Sequence, residues 1–248
     1  MTASDSTTPA PSTEARFEAT RWTLVLQAKS SDARVALDEL CRIYWPPIYA
    51  LIRRQGFAPA DAADLAQDFF VHIVQHEALS TVAREKGKFR SFLQKSLANF
   101  LHNERDRATA RKRGGDQTII SIDAEIEEGR HPVEPADTSD PKKFFDRRWA
   151  LAVIDEVTAK LKLKNSGVEK ATVFAQLQPY LTGETGEGTY AALAVRLAMS
   201  EGAVKVALHR LRREFGELLR SEIRHTLIEP TEQDIKDELR HLFAALGA

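Results

Sequence analysis

The segment Tyr190-Ala191-Ala192-Leu193-Ala194-Val195-Arg196-Leu197-Ala198-Met199-Ser200-Glu201-Gly202-Ala203-Val204-Lys205-Val206-Ala207-Leu208-His209-Arg210-Leu211 decides how the chain is read. Leu193, Ala194, Leu197 and Met199 fall on one side of a helix, Ser200-Glu201-Gly202 interrupts it, and Val204 with Leu208 opens a second apolar face. Ser200 suits the start of that second helix, because its hydroxyl can accept from the unpaired amides of the first turn. Ala194 is small where two crossing helices must approach closely. The pattern is that of two helices joined by a tight turn.

In such a motif the second helix enters the major groove of DNA. Lys205, His209, Arg210, Arg212 and Arg213 fall off its apolar stripe, and cations there can bond guanine edges or neutralise phosphates. An ordinary helical hairpin with a solvated basic face has the same pattern. Just upstream, Gly183-Glu184-Thr185-Gly186-Glu187-Gly188 has the glycines of a phosphate loop but no lysine to meet the phosphates, and two repelling glutamates. It reads as a connector.

Working outward, 248 residues with 43% hydrophobic and 29% charged content fit one large or two small polar-surfaced domains. No apolar run is long enough to span a bilayer, and Met1 to Ala19 lacks the basic start and apolar core of a signal peptide. One cysteine, Cys41, leaves no internal disulfide framework and no Cys-rich zinc site. These features predict a cytoplasmic protein with no membrane association.

The net charge of −1 hides a segregated pattern. From Arg84 to Arg113 there are ten Lys and Arg against three acids; from Asp116 to Pro141 there are eight acids and one Arg130. The acidic stretch, with Gly114-Gly115, Pro132, Pro135 and Asp140-Pro141 and no sustained apolar period, reads as a linker. Helical periods flank it: Trp22, Val25 and Leu26; Leu37, Leu40, Cys41, Tyr44 and Ile48; Leu65, Phe69, Ile73 and Val74; Phe89, Phe92, Leu93, Leu97 and Phe100; then Phe145, Trp149, Ala152, Val153 and Val157; then Val173, Phe174, Leu177 and Tyr180. Only Thr118–Ile122 hints at a strand. The expected fold is all-α, with a tail at 1–19, a helical domain at 20–114, an acidic linker at 115–143, a second helical domain at 144–228 and an extension at 229–248.

Two faces in the first domain are candidates for contact. Asp61, Asp64 and Asp68 recur at helical spacing beside Gln67, over Leu65, Phe69 and Val71 to Ile73; acids and an amide beside exposed Phe make a mixed interface, although charge runs are commonly just solvated. His72 and His76 stand at i and i+4, but no third or fourth metal ligand is evident. The next helix interleaves Lys88, Phe89, Arg90 and Phe92 with Asn99, Arg105, Arg107, Arg111, Lys112 and Arg113, a mixture suited to unpaired DNA. At least two of Phe89, Phe92 and Phe100 are expected to be core instead.

Taken in order, these features resemble the extracytoplasmic-function (ECF) type of bacterial sigma-70 factor, which keeps sigma region two and sigma region four joined by a linker. The resemblance is carried by Trp22-Thr23-Leu24-Val25, Tyr44-Trp45-Pro46-Pro47-Ile48-Tyr49, Asp61-Ala62-Ala63-Asp64-Leu65-Ala66-Gln67-Asp68-Phe69-Phe70, Lys86-Gly87-Lys88-Phe89-Arg90-Ser91-Phe92-Leu93, Lys112-Arg113-Gly114-Gly115, and Ser200 through Leu211. It implies a non-enzymatic, cofactor-free promoter-specificity subunit of RNA polymerase, a DNA-binding protein acting in transcription initiation and transcription regulation. Asp61, Asp64, Gln67, Asp68 and Phe69 would bind core polymerase through the clamp of its β′ subunit, with the β subunit also in contact. Lys88, Phe89, Arg90, Phe92, Asn99, Arg105, Arg107, Arg111, Lys112 and Arg113 would bind and melt the −10 promoter element. Ser200, Lys205, His209, Arg210, Arg212 and Arg213 would read the −35 element. A regulatory partner such as an anti-sigma factor fits the same resemblance.

Three positions depart from the family pattern. Ala198 stands where many members have Gly; if φ is positive there, Ala costs about 1 kcal/mol. Val206 and Ala207 replace polar residues of the recognition helix, and Phe92 replaces a frequent Trp. Beyond the second domain, Pro230-Thr231 can start a helix with Ile235, Leu239, Leu242, Phe243 and Leu246 on one face, expected to fold back on its own domain or to serve as a regulatory surface. Two rivals are a helix-turn-helix regulator acting without polymerase, and a nuclease using Asp61, Asp64, His72 and His76. The first leaves the Asp64 face and the basic helix without a purpose. The second places all its ligands on one helix, whereas metal nucleases need converging carboxylates.

Overall fold

The computed structural model describes residues 31–75, 89–111, 140–182, 189–227 and 230–247. These are helical apart from turns: α1 (Ser31–Arg54), α2 (Pro59–Gln75), α3 (Phe89–Arg111), α4 (Pro141–Lys164), α5 (Val168–Leu177) with a 3-10 turn at Gln178–Tyr180, α6 (Thr189–Leu197), α7 (Glu201–His225) and α8 (Glu232–Leu246). The expected tail at 1–19, the Trp22 helix, the Thr118–Ile122 run, the Gly183–Gly188 connector and nearly all of the acidic linker lie outside the described residues.

Local chemistry sets the boundaries. Gly56, at φ 91°, turns the chain out of α1, and Pro59 supplies the preset first φ of α2. The Asp140 side chain accepts from the Lys142 amide at 3.0 Å, and Pro141 takes the first helical position of α4. Asp140-Pro141 thus acts as a helix start, and residues 141–143, expected in the linker, belong to α4. Thr231 and Asp234 form a reciprocal capping box at the start of α8, and Gly247 closes that helix at φ 86°. Helix α1 runs through Pro46-Pro47, so two amide donors are missing inside it and the carbonyls of Arg42 and Ile43 lose their usual partners.

The described helices share a continuous core instead of forming two separate ones. Helix α4 is central, packing on α1, α7 and α8. Its buried residues, Phe144, Phe145, Trp149, Ala150, Ala152, Val153, Val157 and Leu161, wrap more of the helix than the single stripe expected, because three neighbours surround it. Phe144 bridges directly to α1, packing on Ala50 and lying under the Arg54 guanidinium at 5.0 Å. On the other side, Lys160 of α4 reaches Glu222 of α7 at 2.6 Å. Phe89 and Phe100 of α3 are core, as expected of at least two of its aromatics: Phe89 meets Tyr44 edge-on at 5.1 Å, and Phe100 meets Phe69 at 5.6 Å.

Candidate nucleic-acid and protein interfaces

Helices α6 and α7 form the expected helix-turn-helix. Ala198 adopts φ 52°, the one positive φ outside glycine among the described residues. Around it the Met199 amide donates to the Ala194 carbonyl at 3.0 Å and the Ala198 amide to the Val195 carbonyl at 3.3 Å, a left-handed cap that ends α6. Ser200 then starts α7, its hydroxyl accepting from the Ala203 amide at 3.2 Å. Leu193, Ala194, Val204, Leu208 and Leu211 bury the inner faces.

The outer face of α7 presents Lys205, Val206, His209, Arg210 and Arg213. The Lys205 ammonium lies over the Tyr190 ring at 5.1 Å, a cation–π contact that tethers this exposed side chain to α6. Arg213 pairs along the helix with Glu217 at 3.6 Å, both exposed, a contact of at most about 0.5 kcal/mol. Arg212 differs from expectation. It points inward, donating through Nε and Nη2 to the Tyr180 carbonyl at 3.1 and 2.8 Å, so it braces the turn after α5 and does not face a groove. Valine 206, 59% exposed among these cations, adds an apolar contact point to the face.

On α2, Asp61, Asp64, Gln67 and Asp68 are exposed. Asp61 falls in the first turn, where it also complements the helix dipole. Phe69 is wholly buried between Phe70 and Phe100 and is unavailable to a surface partner. The apolar member of the stripe is Val71, 45% exposed, completing Asp64, Gln67, Asp68 and Val71 at i, i+3, i+4 and i+7. The apolar spacing places both Val71 and Phe69 underneath, while the family resemblance assigns Phe69 to the contact surface; the structure buries Phe69 and exposes Val71, two positions and about 200° of helix away. His72 packs on Phe100 at 5.6 Å; His76 lies outside the described residues. Among the described residues no three His, Cys, Asp or Glu gather as metal ligands, and no helix is long and apolar enough to cross a membrane.

On α3 the expected −10 residues divide. Asn99 and Arg105 are exposed, Arg105 lying 5.7 Å over the Phe57 ring; Phe92 is half-buried against Phe89. Lys88, Lys112, Arg113 and the side chains of Arg107 and Arg111 lie outside the described residues. Phe89 is core, and Arg90, only 4% exposed, is not on the surface at all. Its Nε lies 2.7 Å from Asp146 of α4, an Nη donates to Glu238 of α8, and its guanidinium stacks 4.2 Å over Trp149. Asp146 also accepts from Gln94 at 3.4 Å and faces His241 of α8 at 3.0 Å. Removing one partner of such a buried pair costs about 3–5 kcal/mol, since a charge is stranded in the interior. Nothing in the local sequence around Arg90 announces acids 56 and 148 positions away.

No family model, no curated protein and no solved structure matches this chain.

Proposed function

We propose that this chain is a dissociable promoter-specificity subunit of bacterial RNA polymerase, of the ECF sigma type. The observation that carries the reading is a capped helix-turn-helix with an outward cationic face on the same chain as a separate exposed acid-and-amide stripe. Arg210 and His209 meet base edges of a −35 element, while Lys205 and Arg213 anchor the phosphates. Asp64, Gln67, Asp68 and Val71 dock on a basic helical surface of core polymerase, where charge complementarity sets register and apolar contact adds affinity. Asn99, Arg105 and the basic end of α3 meet the −10 strand. The chain makes no bonds itself; it positions polymerase, and its chemistry is recognition.

The test is capture of sigma-free core polymerase followed by sequencing of transcripts initiated on genomic DNA. Co-elution with discrete new start sites is the expected result. Tight duplex binding with no binding to core assigns the chain instead to the helix-turn-helix regulators.

A further inference from the structure

We infer that the cleft between the first turns of α4 and the last turns of α8 is a binding site for a small organic acid, an oxyanion carried on a flat apolar body. The inference goes beyond the proposed function and does not depend on it.

The cleft has a volume of about 460 Å³, within the range of roughly 300–1,000 Å³ usual for small-molecule sites. Helix α4 supplies Lys143, Phe144 and Arg147 to it, and α8 supplies His241, Ala244 and Ala245. Two kinds of surface therefore meet there. Phe144 and the two alanines make an apolar wall, and Lys143 and Arg147 stand beside it as cations. Both cations are exposed, and among the described residues neither has an acid paired with it. Four positions apart on one helix, they repel each other, and the first turn of α4 holds no acid to offset them. A guanidinium beside an ammonium takes an oxyanion, the planar fork of arginine through two parallel hydrogen bonds.

Asp146 is the one acid that lines the cleft among the described residues, and its charge is already matched. It is buried, with the Arg90 Nε at 2.7 Å and the His241 Nε2 at 3.0 Å, so it does little to oppose an incoming anion. The same contact fixes the imidazole, which gives the cleft a flat face on the α8 side. An aromatic acid seated against that face and Phe144 brings its charged end to Arg147 and Lys143, and touches α4 and α8 at once.

The experiment uses the full chain. The probes are 2-naphthoate, its uncharged counterpart 2-naphthamide, and inorganic phosphate as an anion with no apolar body. Calorimetry reads affinity and thermal unfolding by circular dichroism reads Tm. The expected result is that 2-naphthoate binds and raises Tm as its concentration rises, because it occupies a site the unfolded chain lacks. The amide and phosphate bind about tenfold more weakly or worse, each lacking one of the two contacts. Arg147→Gln weakens 2-naphthoate about tenfold and Lys143→Gln severalfold. Ala244→Trp fills the cleft and removes binding. Lys236→Gln, on α8 outside the cleft, leaves the affinity unchanged. The four replaced side chains are exposed, so Tm without probe is expected to stay at the parent value. Should Ala244→Trp lower it, the comparison of Arg147→Gln with Lys236→Gln decides. The inference is overturned by a chain that does not bind 2-naphthoate, by an amide or phosphate that binds as well, or by Arg147→Gln binding no worse than Lys236→Gln.

Discussion

Replacing Ala198 by glycine tests the helix-turn-helix at its tightest point. At φ 52° a Cβ crowds the backbone, at a cost of roughly 1–2 kcal/mol for an L residue in that region. Glycine relieves the crowding but gains freedom in the unfolded chain, which offsets about 0.4–1 kcal/mol. The expected net is a stabilisation of about 0.5–1 kcal/mol, or roughly 1–4 °C in Tm for a chain of this size. The turn hydrogen bonds, Met199 to Ala194 and Ala198 to Val195, involve only backbone and remain in place, so duplex binding is unchanged or tighter. Thermal unfolding by circular dichroism reads the first quantity and fluorescence anisotropy on promoter DNA the second. The companion Ala198→Val adds a second branch at Cβ and is expected to lower Tm. The reasoning is refuted if Ala198→Gly lowers Tm, or if glycine and valine shift it alike, because then residue 198 does not hold a left-handed turn in solution.

On α7, Arg210→Ala is expected to weaken specific duplex binding by about tenfold or more, as loss of one bidentate base contact costs about 1–3 kcal/mol; Arg212→Ala is expected to lower Tm instead, since Arg212 braces the Tyr180 carbonyl, and anisotropy with melting on both variants separates the roles. If α7 reads a −35 element as proposed, the exposed Val206 would touch a thymine methyl, and replacing thymine by uracil at one −35 position should weaken the parent severalfold and leave Val206→Ala unaffected in the same binding assay. Asp64→Arg with Val71→Ser is expected to abolish most core-polymerase co-elution without changing Tm or duplex binding, because both side chains are exposed. Burial, followed by the charge of Asp38, pushes the Cys41 thiol up to about 11. At pH 8 its alkylation is therefore expected to run about a hundredfold slower in the folded chain than in urea, as the thiolate is the nucleophile. Because the folded value is raised, this group's stabilisation is full below pH 9 and is lost as pH rises from 9 through 11, which urea melts at pH 8 and 10.5 would register.

How much of this was legible in the sequence varies with the range of the cause. The Ser200 cap and the Pro230-Thr231 helix start are set by neighbours within a few residues, and the spacing shows them; the Ala198 turn rests on the family resemblance, and the spacing puts at least two of Phe89, Phe92 and Phe100 in the core without saying which, because their partners Tyr44 and Phe69 are distant in sequence. The α2 face was legible in its acids but not in its apolar member: Phe69 and Val71 stand two positions, about 200° of helix, apart and so lie on nearly opposite sides of it. Arg212 read as a groove residue because composition records its charge and not the carbonyl it braces, 32 positions earlier. Arg90 is the extreme case. A cation in a basic run is ordinarily solvated, and only the docking of α4 and α8 brings Asp146 and Glu238 to it. The continuous core escaped for the same reason, since Phe144 and Ala50 announce apolarity but not each other.

That shared core has a consequence for the order in which partners arrive. Helix α4 packs on α1 on one side and on α7 and α8 on the other, so any arrangement with the two halves apart would give up that packing and be a minor state of the free chain. A ligand that needs the minor state binds with an affinity reduced by its fractional population. Whichever partner first selects the parted state bears that reduction, and the next partner does not. If the partners are polymerase and promoter as proposed, they would then raise each other's affinity by the same factor without touching, since linkage between two binding equilibria is reciprocal. The free chain would ignore much of the DNA it meets, and its discrimination would begin when polymerase is already in hand.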